Sequence, residues 1–236
     1  MSSVVQAPTG TVSLVFTDIQ GSTELWERYQ DAFKDYLDLH NTIMRTVIDE
    51  TNGYEVKTEG DAFMVAFSHA SEAADFCIQA QLRLHHAEWP DELLKNPKTL
   101  ALCGESEDGL FRGLRVRMGI HTGAPKPQLD PITGRMDYFG PMVNRAARVG
   151  SVGHGGQIIV SQATLSQIRD HIGPDSFIDM GDHALKGLEG RERLYQIHAP
   201  ELALRFFPRI RTPDLSKTNL PTRLNSFIGR ETELKE

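Results

Sequence analysis

The chain predicts an α+β fold: strands and helices in the order βαββαβ, further strands after them, and helices covering one face of the sheet. Three observations lead there. Short apolar, β-branched runs alternate with longer stretches whose apolar residues recur every three or four positions. Two of the strand-like runs are separated only by a tight bend, so that connection is a hairpin and not a helix. The 236 residues are 39% hydrophobic and 24% charged, the profile of an ordinary globular chain and not of a disordered one.

Residues 11–17, TVSLVFT, are a buried strand by composition. They run into Asp18-Ile19-Gln20-Gly21-Ser22-Thr23, where Ser22 or Thr23 is expected to cap a helix. That helix carries Trp26, Tyr29, Phe33, Leu37, Met44 and Val47 as one continuous stripe long enough to pack across a sheet. Asn52-Gly53 marks a turn. Residues 54–58 and 62–67 then form a hairpin bent at Glu59-Gly60-Asp61, and residues 71–86 a second amphipathic helix. Prolines, glycines and the run Glu105-Ser106-Glu107-Asp108 make residues 87–113 an inserted surface loop. Residues 114–122 return as a strand, and 123–136, with three prolines, are expected to be irregular. Pro141 opens a helix reaching about Val149. Strands at 157–160, 176–180 and 193–198 and a helix at 162–170 complete a ferredoxin-like βαββαβ core with extra C-terminal strands. After Ala199 prolines and basic residues replace periodicity, so 9–199 reads as the domain and 200–222 as a linker.

Composition narrows the function. A net charge of −7 argues against whole-surface binding to nucleic acid. No apolar run approaches the eighteen residues of a spanning helix, so no membrane partner is expected. The start, MSSVVQAPTG, has neither the basic nor the apolar segment of a secretory signal. Two cysteines, Cys77 and Cys103, make no disulfide framework. A reducing, cytoplasmic setting is expected.

Two carboxylates, Asp18 and Asp61, follow strand-like segments. Meeting at neighbouring strand ends, they can hold a pair of hard cations about 4 Å apart. Gly21 lets backbone approach a ligand, and the amides around Ser22 and Thr23, at a helix start, suit phosphate. Asn144 and Arg148 stand four apart, on one helix face. Each of these residues has an ordinary structural explanation by itself: a helix cap, a turn, a solvated charge. His121 reads as a structural histidine, because nothing in the sequence pairs it with a nucleophile.

Taken together the motifs are specific. Asp18-Ile19-x-Gly21-Ser22-Thr23, Lys57-x-x-Gly60-Asp61, Arg117-Met118-Gly119-Ile120-His121-x-Gly123 and Asp137-x-x-Gly140-x-x-Val143-Asn144-x-Ala146-x-Arg148 follow one another in this order. The set resembles the class III nucleotidyl cyclase catalytic domain, and Lys57–Phe67 with Arg135–Val149 resembles the fungal adenylate cyclases in particular. The resemblance implies that Asp18, Asp61 and the Ile19 carbonyl bind two Mg²⁺ or Mn²⁺ ions. It implies that Lys57 and Asp137 read the purine, Asn144 orients the ribose and Arg148 stabilises charge on the phosphates. Arg117, the Gly21–Thr23 turn and Lys186, in the late hairpin, are then expected at the triphosphate. It further implies a head-to-tail homodimer with two shared sites. One chain lends each site its metal aspartates and Arg117, and the other lends Lys57, Asp137, Asn144 and Arg148. The expected activity is conversion of ATP to cyclic AMP and pyrophosphate. A domain that binds ATP without turning it over, and a cyclase for GTP or a pyrimidine nucleotide, are the alternatives. Residues 220–236 resemble the start of an AAA-like signal-transduction ATPase module, which would make such a module a fused partner.

Overall fold

A computed structural model describes residues 5–199 and 201–213. The segment likened to an ATPase module lies outside the described residues, as do residues 200 and 214–222 of the stretch read as linker.

Among the described residues nine strands and six α-helices follow one another in the order β1 (Val12–Ile19), α1 (Ser22–Tyr29), α2 (Asp31–Glu50), β2 (Tyr54–Glu59), β3 (Ala62–Phe67), α3 (Ala70–His86), α4 (Asp91–Leu94), β4 (Val116–Gly123), β5 (Lys126–Leu129), β6 (Met136–Phe139), α5 (Pro141–Ser151), β7 (Ile158–Ser161), α6 (Gln162–Ile172), β8 (Phe177–Ala184) and β9 (Arg191–Ile197). Seven strands form one sheet in the order β2-β3-β1-β4-β7-β9-β8. β1 sits between β3 and β4, antiparallel to both, and β4 and β7 are the parallel pair. This is the expected α+β architecture. Among the described residues no helix is long and apolar enough to cross a membrane.

Period-two alternation along β1 builds two cores at once. Val15 and Ile19 point into the larger one, with Phe33, Met44, Phe76 and Leu165 of the covering helices. Val12 and Leu14 point the other way, against Met142 and Ala146 of α5. The expectation of helices on one face is therefore corrected, because α5 lies on the opposite side. Gly119 and Gly150 explain how it gets there. A Cβ added at Gly119 would stand 2.2 Å from the Gly150 Cα, so the helix backbone rests directly on β4.

Three local expectations also change. The long first helix is two helices, broken at Gln30 (φ 47°). Both halves of the stripe still join the main core, through Tyr29 and Phe33 and through Met44 and Val47, and Tyr29 Oη also meets Thr99 Oγ1 at 2.8 Å. The α1 cap is not Ser22 or Thr23 but Gly21, in the left-handed region at φ 71°. Residues 123–136, expected to be irregular, instead contribute β5 and the start of β6, which pair as a separate hairpin.

The 87–113 segment is only partly a surface loop. It includes α4 and sends Trp89, Leu93, Leu94 and Cys103 into the main core. Trp89 also donates its indole N–H to the Leu84 carbonyl at 2.7 Å. After β9, residues 201–213 form no regular element yet lie along the domain as a strap, with Arg205, Ile210 and Thr212 buried.

Candidate active site

β1 ends at the centre of the site. Asp18 faces Arg117 directly across the β1–β4 ladder, and Arg117 Nε donates to Asp18 Oδ2 at 2.6 Å. Asp61, at the β2–β3 bend, reaches the same place and accepts from the Ile19 amide through Oδ2 at 2.8 Å. The β1–β3 register makes this possible, because Thr17 opposite Phe63 leaves the bend beside the last residues of β1. Burial pushes the Asp18 carboxyl above its ordinary value. The Arg117 guanidinium opposes that rise, and the nearby Asp61 carboxylate adds to it.

Two converging carboxylates are hard oxygen donors of the kind Mg²⁺ and Mn²⁺ take. Among the described residues no group of three or more His, Cys, Asp or Glu side chains is arranged to hold a metal ion. The pair therefore fits ions that keep water and phosphate as their remaining ligands, not an all-protein cage. Asp18 and Arg117 line a cleft of about 210 Å³ with Ala62, Ala147 and Ser151.

The turn after β1 is held from behind. Gly21 has no room for a side chain, since a Cβ there would stand 2.8 Å from Leu102 Cδ2. Leu25 makes the first helical bond, to the Gly21 carbonyl at 3.0 Å, so the amides of Ser22 and Thr23 fall in the unpaired first turn of α1. Such a turn attracts anions.

A second cleft, of about 380 Å³, is lined by Lys57 and Asp137 with Glu55, Arg135 and Met136. Lys57 Nζ donates to Asp137 Oδ2 at 3.0 Å. A β-bulge aims the lysine. The β2–β3 register slips between Glu55 and Lys57, so Val56 is the extra residue. Val56 then packs beside Tyr138. Tyr138, donating through its hydroxyl to the Pro8 carbonyl at 2.6 Å, anchors the strand that carries Asp137.

Asn144 and Arg148 lie on the outward face of α5, opposite the buried Met142, Ala146 and Val149. Neither side chain has a hydrogen-bond or ion-pair partner among the described residues, and neither lines the Asp18 cleft. Arg145, between them, pairs instead with Glu192. Lys186 is exposed in the β8–β9 turn, lines neither cleft, and likewise has no partner among the described residues. His121 is buried against Ser161 Oγ at 2.8 Å, and burial lowers it to about 4, as a structural histidine requires. The structure thus gathers Asp18, Ile19, Asp61 and Arg117 in one place and Lys57 and Asp137 in another. The two clefts share no lining residue.

Sequence reasoning missed the support behind the loop. Gln20 donates its side-chain amide to the Ala101 carbonyl at 3.1 Å and accepts from the Gly155 amide at 2.8 Å. The density of apolar residues at Trp89, Leu93, Leu94, Leu100 and Leu102 was the available signal that this insertion packs inward.

The sequence pattern of the adenylate and guanylate cyclase catalytic domain matches residues 4–199. An adenylate cyclase of Podospora anserina is 39% identical over 234 residues, covering 86% of this chain and 11% of that protein. One of Schizosaccharomyces pombe is 48% identical over 166 residues, covering 70% and 10%. The chain spans about a tenth of the length of these relatives. Among solved structures, an adenylate cyclase from Trypanosoma brucei, described in its monomeric state, matches with a TM-score of 0.78 at 30% identity, over 87% of this chain and 96% of that one. The adenylyl cyclase CyaB from P. aeruginosa matches with a TM-score of 0.60 at 28% identity, over 79% and 93%.

Proposed function

Because this chain belongs to the adenylate and guanylate cyclase catalytic domain family, we propose that it is an adenylate cyclase, closing ATP to 3′,5′-cyclic AMP with release of pyrophosphate. The observation that carries the choice of base is the Lys57–Asp137 pair, a cation donor and a carboxylate acceptor 3.0 Å apart in one cleft. Adenine offers an acceptor at N1 and an amino donor at N6, which such a pair satisfies; guanine offers the reverse. A site built on hydrogen-bond partners rejects the mismatched ligand by about 10⁴-fold. The fungal relatives bear the same activity in their names.

In this reading Asp18, Asp61 and the Ile19 carbonyl would hold two Mg²⁺ or Mn²⁺ ions, which would supply charge neutralisation to the reacting phosphates. Arg117, the Gly21–Thr23 turn and Lys186 bind the triphosphate. Asn144 holds the ribose so that its 3′-hydroxyl lies in line with the bond to be broken. The hydroxyl oxygen forms the new bond to the α-phosphorus, its proton is released, and the bond from the α-phosphorus to the bridging oxygen breaks. Arg148 meets the charge that develops on the phosphate oxygens. The protein acts through position and electrostatics, with no covalent intermediate.

The same reading makes the active form a homodimer. Three features support it. The Asp18 and Lys57 clefts are separate on one chain. Asn144 and Arg148 face outward without partners among the described residues. The β5–β6 hairpin exposes the apolar side chains of Leu129, Ile132 and Phe139, which are available to a second copy. Cys77 and Cys103, buried and free, fit a reducing cytoplasm.

Turnover of ATP, GTP, CTP and UTP with Mg²⁺ and with Mn²⁺ tests the proposal. Cyclic AMP from ATP alone is the expected product. A cyclic product chiefly from another nucleotide, or ATP binding with no product under either metal, would overturn it.

A further inference from the structure

We propose that Arg205, on the strap after β9, is a positioning residue for the Asp18–Thr23 loop, acting through Phe111, Arg115 and Gln20. The proposal rests on the reading of that loop as the metal and phosphate site.

Arg205 is an unusual residue to find inside a domain. Only 8% of it is exposed, and no carboxylate pairs with it among the described residues. A buried guanidinium is costly unless its donors are met. Here they are met by three parts of the fold. Nε donates to the Leu110 carbonyl at 2.7 Å, in the insertion. Nη1 donates to Gln81 Oε1 at 3.2 Å, on α3, and to the Gly156 carbonyl at 3.4 Å, just before β7. Nη2 reaches His85 Nδ1 at 3.3 Å.

From there the contacts run to the loop and back. The Arg205 guanidinium lies 4.9 Å from the centre of the Phe111 ring, and that of Arg115 lies 4.3 Å from it. Two cations thus share one aromatic ring, which offsets part of their mutual repulsion. Arg115 donates to the Leu100 carbonyl at 2.6 Å, while its own carbonyl accepts from the Gln20 amide at 2.9 Å. The Gln20 side chain bridges Ala101 and Gly155, and Gly155 adjoins the Gly156 that Arg205 holds. The result is a closed ring of contacts in which Gln20, between Ile19 and Gly21, is one link and Arg205 the opposite one. Leu102, pressed on Gly21, braces the loop from the same side.

The strap therefore does more than end the domain. Docked, it holds the insertion and the entry to β7 together, and these two fix Gln20 from both sides. Undocked, Gln20 loses that fixed frame, and the loop that carries Asp18 and the Ser22 and Thr23 amides is free to shift. The strap's position then sets turnover, and a change imposed on the chain after residue 213 has a physical route to the active site.

Two readouts test this in the full chain. Hydrogen exchange at amides 19–24 needs no nucleotide and no metal; ATP turnover gives kcat and KM. Arg205→Met keeps the bulk and removes the hydrogen bonds. We expect faster exchange at 19–24 and kcat lower by about tenfold, with a smaller change in KM. Arg205→Lys, which retains charge and one donor direction, restores part of both. Phe111→Leu leaves Arg205 in place but removes the shared ring, and shifts both readouts the same way should Arg205→Met fold poorly. Phe206→Ala, on an exposed strap residue outside the ring of contacts, leaves both unchanged. Unaltered exchange at 19–24 in both Arg205→Met and Phe111→Leu would overturn the proposal, as would a loss that Arg205→Lys fails to relieve. A wild-type chain inactive on every nucleotide refutes the cyclase reading instead, and leaves the exchange result to decide the positioning role.

Discussion

Lys57 and Asp137 come from elements far apart in the chain and meet at 3.0 Å because a bulge at Val56 turns the lysine and Tyr138 pins the strand of the aspartate. In the proposed function their donor–acceptor order sets the nucleotide preference, so reversing it should move that preference. Lys57→Glu combined with Asp137→Cys is expected to raise the GTP-to-ATP ratio of kcat/KM by at least about a hundredfold. An unchanged preference for ATP in that variant speaks against purine reading by this pair. Histidine provides a separate residue-scale test. Burial lowers His40 from 6.5 to about 4, and its Nδ1 meets Asn41 Oδ1 at 3.0 Å. The folded chain keeps this ring neutral where the unfolded chain would protonate it. The stability it represents is complete above pH 6.5 and is lost as pH falls toward 4, to a total of about 3 kcal/mol. In His40→Met the loss of unfolding free energy between pH 7 and pH 4 should be smaller by about that amount, measured by urea titration at each pH. An acid limb identical to that of the wild type would show that other groups carry it.

The helix α5 depends on one close approach. Gly119 on β4 and Gly150 on the helix touch backbone to backbone, and a methyl group at Gly119 has nowhere to go. Gly119→Ala should cost about 3 kcal/mol in urea unfolding and lower turnover, because lifting α5 displaces Asn144 and Arg148 together. A cost below about 0.5 kcal/mol would mean that the helix adjusts freely. This contact also marks the limit of what a linear reading reveals. The βαββαβ order was legible because it is written in short-range periods: TVSLVFT as a strand, Ala73 through Leu84 as a helix face. The side of the sheet that α5 takes depends on two glycines from different elements, and no local period encodes their meeting. The break at Gln30 was hidden because the stripe through Tyr29 and Phe33 continues across it. The insertion was misread because Pro90, Pro97 and Gly104 punctuate it as a loop, while Trp89, Leu93 and Cys103 bury it. Candidate site residues were legible as motifs. The means of their convergence were not: the approach of Asp61 to β1 follows from strand register, and Lys57 reaches Asp137 through a bulge.

At the scale of the whole molecule, one chain carries two clefts that share no lining residue. In the proposed function these are half-sites, and a C2 dimer would pair each half with its complement and yield two equivalent sites. Separation of the halves then has a consequence that no single-chain site shares: chains damaged in different halves repair one another. Asp18→Ala removes the acidic half, and Arg148→Ala removes the outward-facing cation of the other. Each variant alone should be inactive. Mixed in equal amounts, half of the dimers are heterodimers with one intact site of two, so cyclic AMP formation should return to about a quarter of the wild-type rate. Product no higher in the mixture than in either variant alone, with heterodimers present, would contradict the shared site on which this account of the protein stands.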